Sequence, residues 1–276
     1  MVTRERAMAY AALTRIYMSA ILGFAALCGW HLSHGGLAHW KIALVFVSQC
    51  CVFASGFALN DLLDKDRDGS VACKPIPTRK LTYAQALRAM LLLCIVGLVT
   101  SASLGSVPLG LACGQLVVVY FYSRIKMWSG LGANLATAGL CASSFVFGAT
   151  VGHGLRGALV PAVLTLEFTV AREVVKDILD QEPDSVAGVP TIPLRYGSRF
   201  SARLVALLVI SVALTSMLPG VRVAYGAGYT VLMLSVNVIL AASTIALLRD
   251  SGQHTAGKFL NASAAAFPLA LVAFLM

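Results

Sequence analysis

Residues 84–104 read AQALRAMLLLCIVGLVTSASL. The only charge is Arg88, near one end, and no acid interrupts the run. A helix needs about 20 mostly apolar residues to cross the hydrocarbon core of a bilayer, and this stretch meets that length. Its apolar residues are consecutive, without the two-residue alternation of a barrel strand. Only helices and closed barrels satisfy the backbone in lipid, so the stretch reads as a membrane-spanning helix.

Eight further stretches have the same character, at roughly 14–31, 41–59, 107–123, 132–152, 158–176, 202–219, 224–248 and 258–276. The expectation is therefore an all-α polytopic membrane protein with nine transmembrane helices. Composition agrees. The 276 residues are 58% hydrophobic and 12% charged, with a mean hydropathy of +0.82. A soluble domain carries about 25% charged residues. So little charge excludes a soluble domain, a disordered chain, a coiled coil and a nucleic-acid partner, although the net charge is +9. Membrane lipid is the expected surrounding.

Orientation follows from the basic residues, which favour cytoplasmic loops. With the N-terminus in the cytoplasm, only Lys41, Arg156 and Arg222 of the 21 Lys and Arg fall outside. The first twenty residues carry charge up to Arg15 and lack the short apolar core of a signal peptide. No linker divides the chain, so residues 1–276 read as one domain. The seven Cys contain no CxxC pair and lie mostly in apolar runs. They read as small buried hydrophobes.

Acids are rare and clustered. Asp61, Asp64, Asp66 and Asp68 form one group, and Glu173, Asp177, Asp180, Glu182 and Asp184 another. Nine of the twelve acids thus sit at the cytoplasmic ends of two expected helices. In residues 60–68, NDLLDKDRD, a continuing helix places Asn60, Asp64 and Asp68 on one face, with Asp61 beside it. In residues 172–184, REVVKDILDQEPD, Glu173, Asp177, Asp180 and Asp184 share a face, and Pro183 should end or bend that helix. Crowded carboxylates repel one another and call for cations. All-oxygen donors without His or Cys suit Mg²⁺, which keeps waters and shares substrate phosphates. Lys74, Arg79 and Lys80 follow the first cluster, Arg124 and Lys126 lie between the two, and Arg172 and Lys176 are interleaved with the second. Cations beside metal-binding carboxylates fit a diphosphate.

These residues resemble the UbiA-type superfamily of intramembrane prenyltransferases. NDLLDKDRD has the form NDxxDxxxD and is followed by KPIP at 74–77, a Lys variant of RP(I/L)P. REVVKDILDQEPD with GVPTIP at 188–193 resembles the second signature, and Tyr122 with Lys126 resembles its YxxxK element. The resemblance implies a horseshoe of nine helices around a central cavity, with an active site facing the cytoplasm of a bacterial or archaeal-type cell membrane. It implies two Mg²⁺ ions holding an allylic isoprenyl diphosphate, whose departure gives a carbocation captured by an acceptor.

By motif position Asn60, Asp61, Asp64, Asp68, Glu173, Asp177, Asp180 and Asp184 are the expected metal ligands. Asp64, Asp68, Asp180 and Asp184 are, by the same resemblance, the expected catalytic residues. Asn60, Lys74, Arg79, Tyr122, Arg124, Lys126 and Lys176 are the expected diphosphate contacts. Two departures stand out: Arg79 lies near a position often held by Gly, and Pro183 replaces the Gly of the pattern REIVKDIEDxEGD. That pattern is typical of the branch that alkylates a glycerol phosphate lipid.

The leading expectation for the acceptor is a small aromatic or quinone-precursor molecule. Transfer to a glycerol phosphate lipid and terpene cyclisation are the alternatives within enzymes. A cation transporter is the alternative of another class, disfavoured because its acids should lie mid-span. Other polar residues within spans are Glu167, readable as an acceptor-site group or a helix-pairing group, and Asn134 and Asn237, readable as interhelical hydrogen-bond formers. Phe53, Phe57, Phe145, Phe147 and Phe168 are candidate cavity-wall residues, with core packing the stronger reading of each.

Overall fold

The computed structural model describes residues 2–33, 39–64 and 74–276. Among them the regular elements are all helices. α1 (Val2–Leu13) and α2 (Ile16–Leu32) are followed by α3 (His39–Leu63), α4 (Tyr83–Leu104), α5 (Ser106–Trp128), α6 (Gly130–Val151) and α7 (Arg156–Leu179). Two short helices, α8 (Gln181–Val186) and α9 (Ile192–Tyr196), precede α10 (Ser198–Ser216), α11 (Pro219–Arg249) and α12 (Gln253–Ala273).

Each of the nine expected spans coincides with a long helix, α2 to α7 and α10 to α12. Seven of these, α3 to α6 and α10 to α12, are individually long and apolar enough to cross a membrane. The pair α1 and α2, bent by 52°, makes up to eight. α7 carries Glu167, Arg172 and Glu173 inside its length, and these charges set it apart. The surface is apolar where a soluble protein would be polar. Leu91, Ile95 and Val99 form an exposed stripe on α4, and Leu207, Ile210 and Leu214 do the same on α10.

Local chemistry sets the helix ends. α4 starts in a reciprocal capping box: the Gln85 amide donates to the Thr82 hydroxyl, and the Thr82 amide donates to Gln85 Oε1. The break between α1 and α2 comes at Arg15, whose φ of 42° is left-handed and strained for a residue with a Cβ. α11 bends at Gly226, whose φ of 85° only glycine adopts without strain.

Packing divides the chain into two compact units. The first comprises residues 1–123 and 143–155. Its helices approach closely through small residues: a Cβ on Gly29 would overlap the carbonyl of Phe145, and one on Gly148 that of Ala26. Buried side-chain pairs add to this. Gln49 and Gln115 exchange amide hydrogen bonds at 3.1 Å, and Ser48 and Ser101 hydroxyls lie 2.6 Å apart. Phe145 and Phe147 are fully buried in this unit, which is the packing role.

The second unit comprises residues 124–142 and 156–276. Here α7, α10, α11 and α12 pack as successive neighbours, α12 returning to α7. Ser211 on α10 donates to Glu167 Oε1 at 2.8 Å, and Asn237 donates to Ser216 Oγ at 3.0 Å. Glu167 and Asn237 are thus helix-pairing groups. In oily surroundings such bonds hold helices where the hydrophobic effect cannot.

Candidate active site

The first motif closes α3. The helix ends at Leu63, and the Asp64 amide makes the last turn with Asn60 O at 3.0 Å. Asp68, Lys65 and Arg67 lie outside the described residues, so the continuing helix expected to Asp68 is followed only as far as Asp64. Asn60 and Asp64 are brought together by Ser123 near the end of α5. Its hydroxyl faces Asp64 Oδ1 at 3.0 Å and Asn60 Oδ1 at 3.3 Å. With one proton to donate, the Ser123 hydroxyl serves one of these two acceptors at a time, Asp64 being the nearer.

Asp61 faces elsewhere and is buried. Lys74 Nζ lies 3.1 Å from its Oδ1 and an Arg15 nitrogen lies 3.5 Å from the same atom. The Arg15 guanidinium also lies 4.8 Å from the centre of the Phe57 ring. An isolated buried carboxylate is costly, and these two cations compensate it. Lys74, expected at a diphosphate, serves here as counter-ion to Asp61. The KPIP segment leads to Arg79, whose φ of 56° is left-handed. That conformation suits the Gly that the motif often has, and the Arg79 side chain is exposed.

The second motif closes α7. The helix was expected to run through the acids to Pro183. It breaks earlier, at Asp180, which precedes α8. Pro183 stands in the first turn of α8, where its missing N–H would have had no helical partner. The Asp184 amide still reaches Asp180 O at 2.9 Å across the break.

Each acid here has a definable environment. Asp177 is buried, and burial pushes its carboxyl up to about 7, against the opposing hydrogen bond from Asn134. That bond, Asn134 Nδ2 to Asp177 Oδ2, is 2.8 Å long and comes from α6. Burial also raises Asp180, countered by Lys176, whose Nζ is 3.9 Å away. Asp184 is buried, with Lys126 Nζ 3.1 Å from Oδ1. Its Oδ2 is buried without a hydrogen-bond partner.

GVPTIP packs over the start of α6. The Gly130 amide donates to Pro190 O at 3.3 Å, and a Cβ on Gly130 would lie 2.7 Å from Thr191 Cα. The residue after the short α8 turn, Gly188, has a φ of 68°. Tyr122 and Lys126 are one turn apart on α5, and Arg124 between them is exposed.

The donor set fits a hard divalent cation. It is all oxygen, it includes an unpartnered buried oxygen on Asp184, and burial leaves Asp177 poorly compensated. Among the described residues no three His, Cys, Asp or Glu converge into a cage.

The UbiA prenyltransferase family model matches residues 21–271. The chain belongs to the UbiA prenyltransferase family. It is an enzyme of the prenyltransferase type, integral to a membrane. A digeranylgeranylglyceryl phosphate synthase of Thermococcus gammatolerans is 30% identical over 273 residues, covering 97% of each chain. A structure reported for the biosynthesis of digeranylgeranylglyceryl phosphate synthase in membranes superimposes with a TM-score of 0.78 at 25% identity, covering 98% of each chain. A UbiA homologue of Archaeoglobus fulgidus bound to GPP and Mg²⁺ has a TM-score of 0.69 at 15% identity, covering 97% of this chain and all of the other. These relatives are named for a glyceryl phosphate lipid, whereas the acceptor expected first from the sequence is aromatic. The aromatic expectation rested on what is common in the superfamily. The second-motif wording had already leaned toward the other branch.

Three participants escaped the sequence reading. Ser123 and Arg15 gave no signal, because Ser and Arg at helix ends are commonplace. Asn134 was visible as a polar residue in a span, but its partner, an acid of the second motif, is a tertiary fact.

Proposed function

We propose that this prenyltransferase moves an isoprenyl group from an allylic isoprenyl diphosphate to a hydroxyl of a glycerol phosphate lipid. The observation that carries the reading is the match of nearly the whole chain to a digeranylgeranylglyceryl phosphate synthase, 30% identical over 97% of both proteins. The form of the second motif, REVVKDILDQEPD, supports the same branch.

In this reading the chain works as one domain with nine membrane spans arranged as a horseshoe, its N-terminus and its acidic motifs on the cytoplasmic side. The distribution of Lys and Arg supports that orientation. Asn60, Asp64 and Asp68 of the first motif, and Glu173, Asp177, Asp180 and Asp184 of the second, are the ligands for Mg²⁺, two ions in all. Bound there, Mg²⁺ supplies the positive charge that stabilises the departing diphosphate. Lys126, Lys176, Tyr122 and Arg124 contact the diphosphate oxygens directly, with Lys74 and Arg79 beside the first motif. Asp61 holds Lys74 and Arg15 in place.

The bond between the allylic carbon and the diphosphate oxygen breaks, and its electron pair leaves with the diphosphate. The acceptor hydroxyl forms the new carbon–oxygen bond, and its proton passes to the released diphosphate. An apolar surrounding keeps water from competing for the allylic carbon. Asn134 orients Asp177, and Ser123 orients Asp64, so that these ligands are preformed.

The test uses purified full-length protein in lipid nanodiscs with Mg²⁺, isoprenyl diphosphates of graded length, and two acceptors: geranylgeranylglyceryl phosphate and 4-hydroxybenzoate. The expected result is an ether-linked product with the glycerol phosphate lipid alone. Product with the aromatic acid alone would overturn the acceptor, and product without any acceptor would point to cyclisation or hydrolysis.

A further inference from the structure

Arg172 lies on α7, one residue before the second-motif acids begin. Its Nε donates to Ser263 Oγ on α12 at 2.8 Å. Ser263 is fully buried and donates in turn to Leu260 O at 2.8 Å, so its lone pair is aimed at the guanidinium. One turn along α7, Phe168 stacks on Phe267 of α12, with ring centres 5.6 Å apart and planes within 12°. The two contacts clamp the same helix pair and leave the guanidinium little freedom.

Cations near the second motif differ in their engagement. Lys126 is paired with Asp184 and Lys176 with Asp180. Arg172 is half-buried and has no carboxylate pairing among the described residues. Its Nε is taken by Ser263, which leaves the paired Nη groups as a planar fork. A charge within a helix of a membrane protein is costly and marks a function by default. A guanidinium fork fits the oxygens of a phosphate bidentately.

We infer that Arg172 binds the phosphomonoester of the acceptor lipid, with Ser263 as the residue that positions it. This inference rests on the glycerol phosphate reading above. The donor diphosphate has its own cations near Asp177, Asp180 and Asp184. The acceptor phosphate needs a separate one. Arg172 stands five residues before Asp177, about 7.5 Å along the helix axis and about 140° around it. It turns to Ser263 of α12, whereas Asp177 turns to Asn134 of α6. A phosphate on the Arg172 fork is therefore held apart from the donor diphosphate, and the acceptor is chosen by that phosphate.

The experiment measures KM for donor and acceptor separately, with geranylgeranyl diphosphate, geranylgeranylglyceryl phosphate and the same acceptor without its phosphate, geranylgeranylglycerol. Arg172→Gln is expected to raise the acceptor KM about tenfold to hundredfold, the value of a hydrogen-bonded charge, while the donor KM stays within about twofold. Wild type should disfavour geranylgeranylglycerol by a similar factor, and Arg172→Gln should erase that preference. Ser263→Ala is expected to raise the acceptor KM by about threefold to tenfold, and Arg172→Lys to recover part of the loss. Equal shifts in both KM values, or an unchanged preference for the phosphorylated acceptor in Arg172→Gln, would overturn the inference. If Arg172→Gln does not purify as a monodisperse protein, Arg172→Lys and the wild-type preference decide alone: no preference for the phosphate overturns it. Wild-type protein that uses no glycerol lipid at all would instead remove the acceptor reading itself.

Discussion

Lys126→Met tests the ligand role proposed for a lysine that the structure shows paired with Asp184. In the structure its ammonium is 3.1 Å from Asp184 Oδ1, with the lysine side chain 29% exposed and the aspartate side chain 7% exposed. The ammonium therefore occupies space beside an oxygen that a divalent cation would use. In the ligand reading it turns to the diphosphate once the substrate arrives. Removing it should have opposite effects on the two ligands. Binding of Mn²⁺ alone, read by electron paramagnetic resonance, should tighten by about twofold to fivefold, because a competing charge pair of about 0.5–1 kcal/mol is gone. kcat/KM for the isoprenyl diphosphate should fall about tenfold to hundredfold, the loss of about 1.5–3 kcal/mol for a hydrogen bond to a charged group. Methionine keeps the apolar stem, so packing along α5 is preserved. Topology should survive the loss of one basic residue among so many on the same side. An unchanged kcat/KM with normal expression would refute the ligand role and leave Lys126 as a topology signal. Weakened Mn²⁺ binding would refute the competition.

Three further outcomes follow from the same geometry. Exhaustive EDTA treatment should abolish turnover and Mg²⁺ should restore it; turnover that persists in EDTA would contradict the cation requirement. Asp64→Ala and Asp180→Ala should each remove activity while the protein still inserts and purifies, since both sit at helix ends; near-wild-type turnover in either would refute its role. Asn134→Leu should raise the Asp177 carboxyl further, because the lost hydrogen bond favoured its charged form. Burial already pushes the Asp177 carboxyl up to about 7, so apo protein should bind Mn²⁺ less well as pH falls from about 8 to about 6, and the variant should show the same weakening at higher pH. A titration curve that does not move would show that Asn134 does not orient Asp177.

Much of the architecture was legible because lipid imposes a simple rule. A span must be long, apolar and helical, so residues 84–104 and their counterparts declared themselves by length and composition. α7 is expected as a span only by reading past Glu167, Arg172 and Glu173, which by composition set it apart from the seven self-evident helices. The acidic motifs were legible for a related reason. In a chain with few acids, nine in two windows cannot be incidental, and their spacing gave the face. Helix ends were less legible: α7 breaks at Asp180 rather than Pro183, because proline is tolerated in a helix's first turn.

The sequence by itself determined that this is a helical membrane protein, where its cations and acids concentrate, and which chemistry those groups share, since each depends on residue type and local spacing. Only the tertiary structure decided who partners whom. That Asp61 is held by Arg15 and Lys74, that Asn134 meets Asp177, that Lys126 meets Asp184 and that Ser263 fixes Arg172 are contacts between residues far apart in the chain. Such contacts arise when helices pack. A periodic pattern specifies which face of a helix is polar, while the neighbour that completes a buried charge is set by how the helices stack against one another.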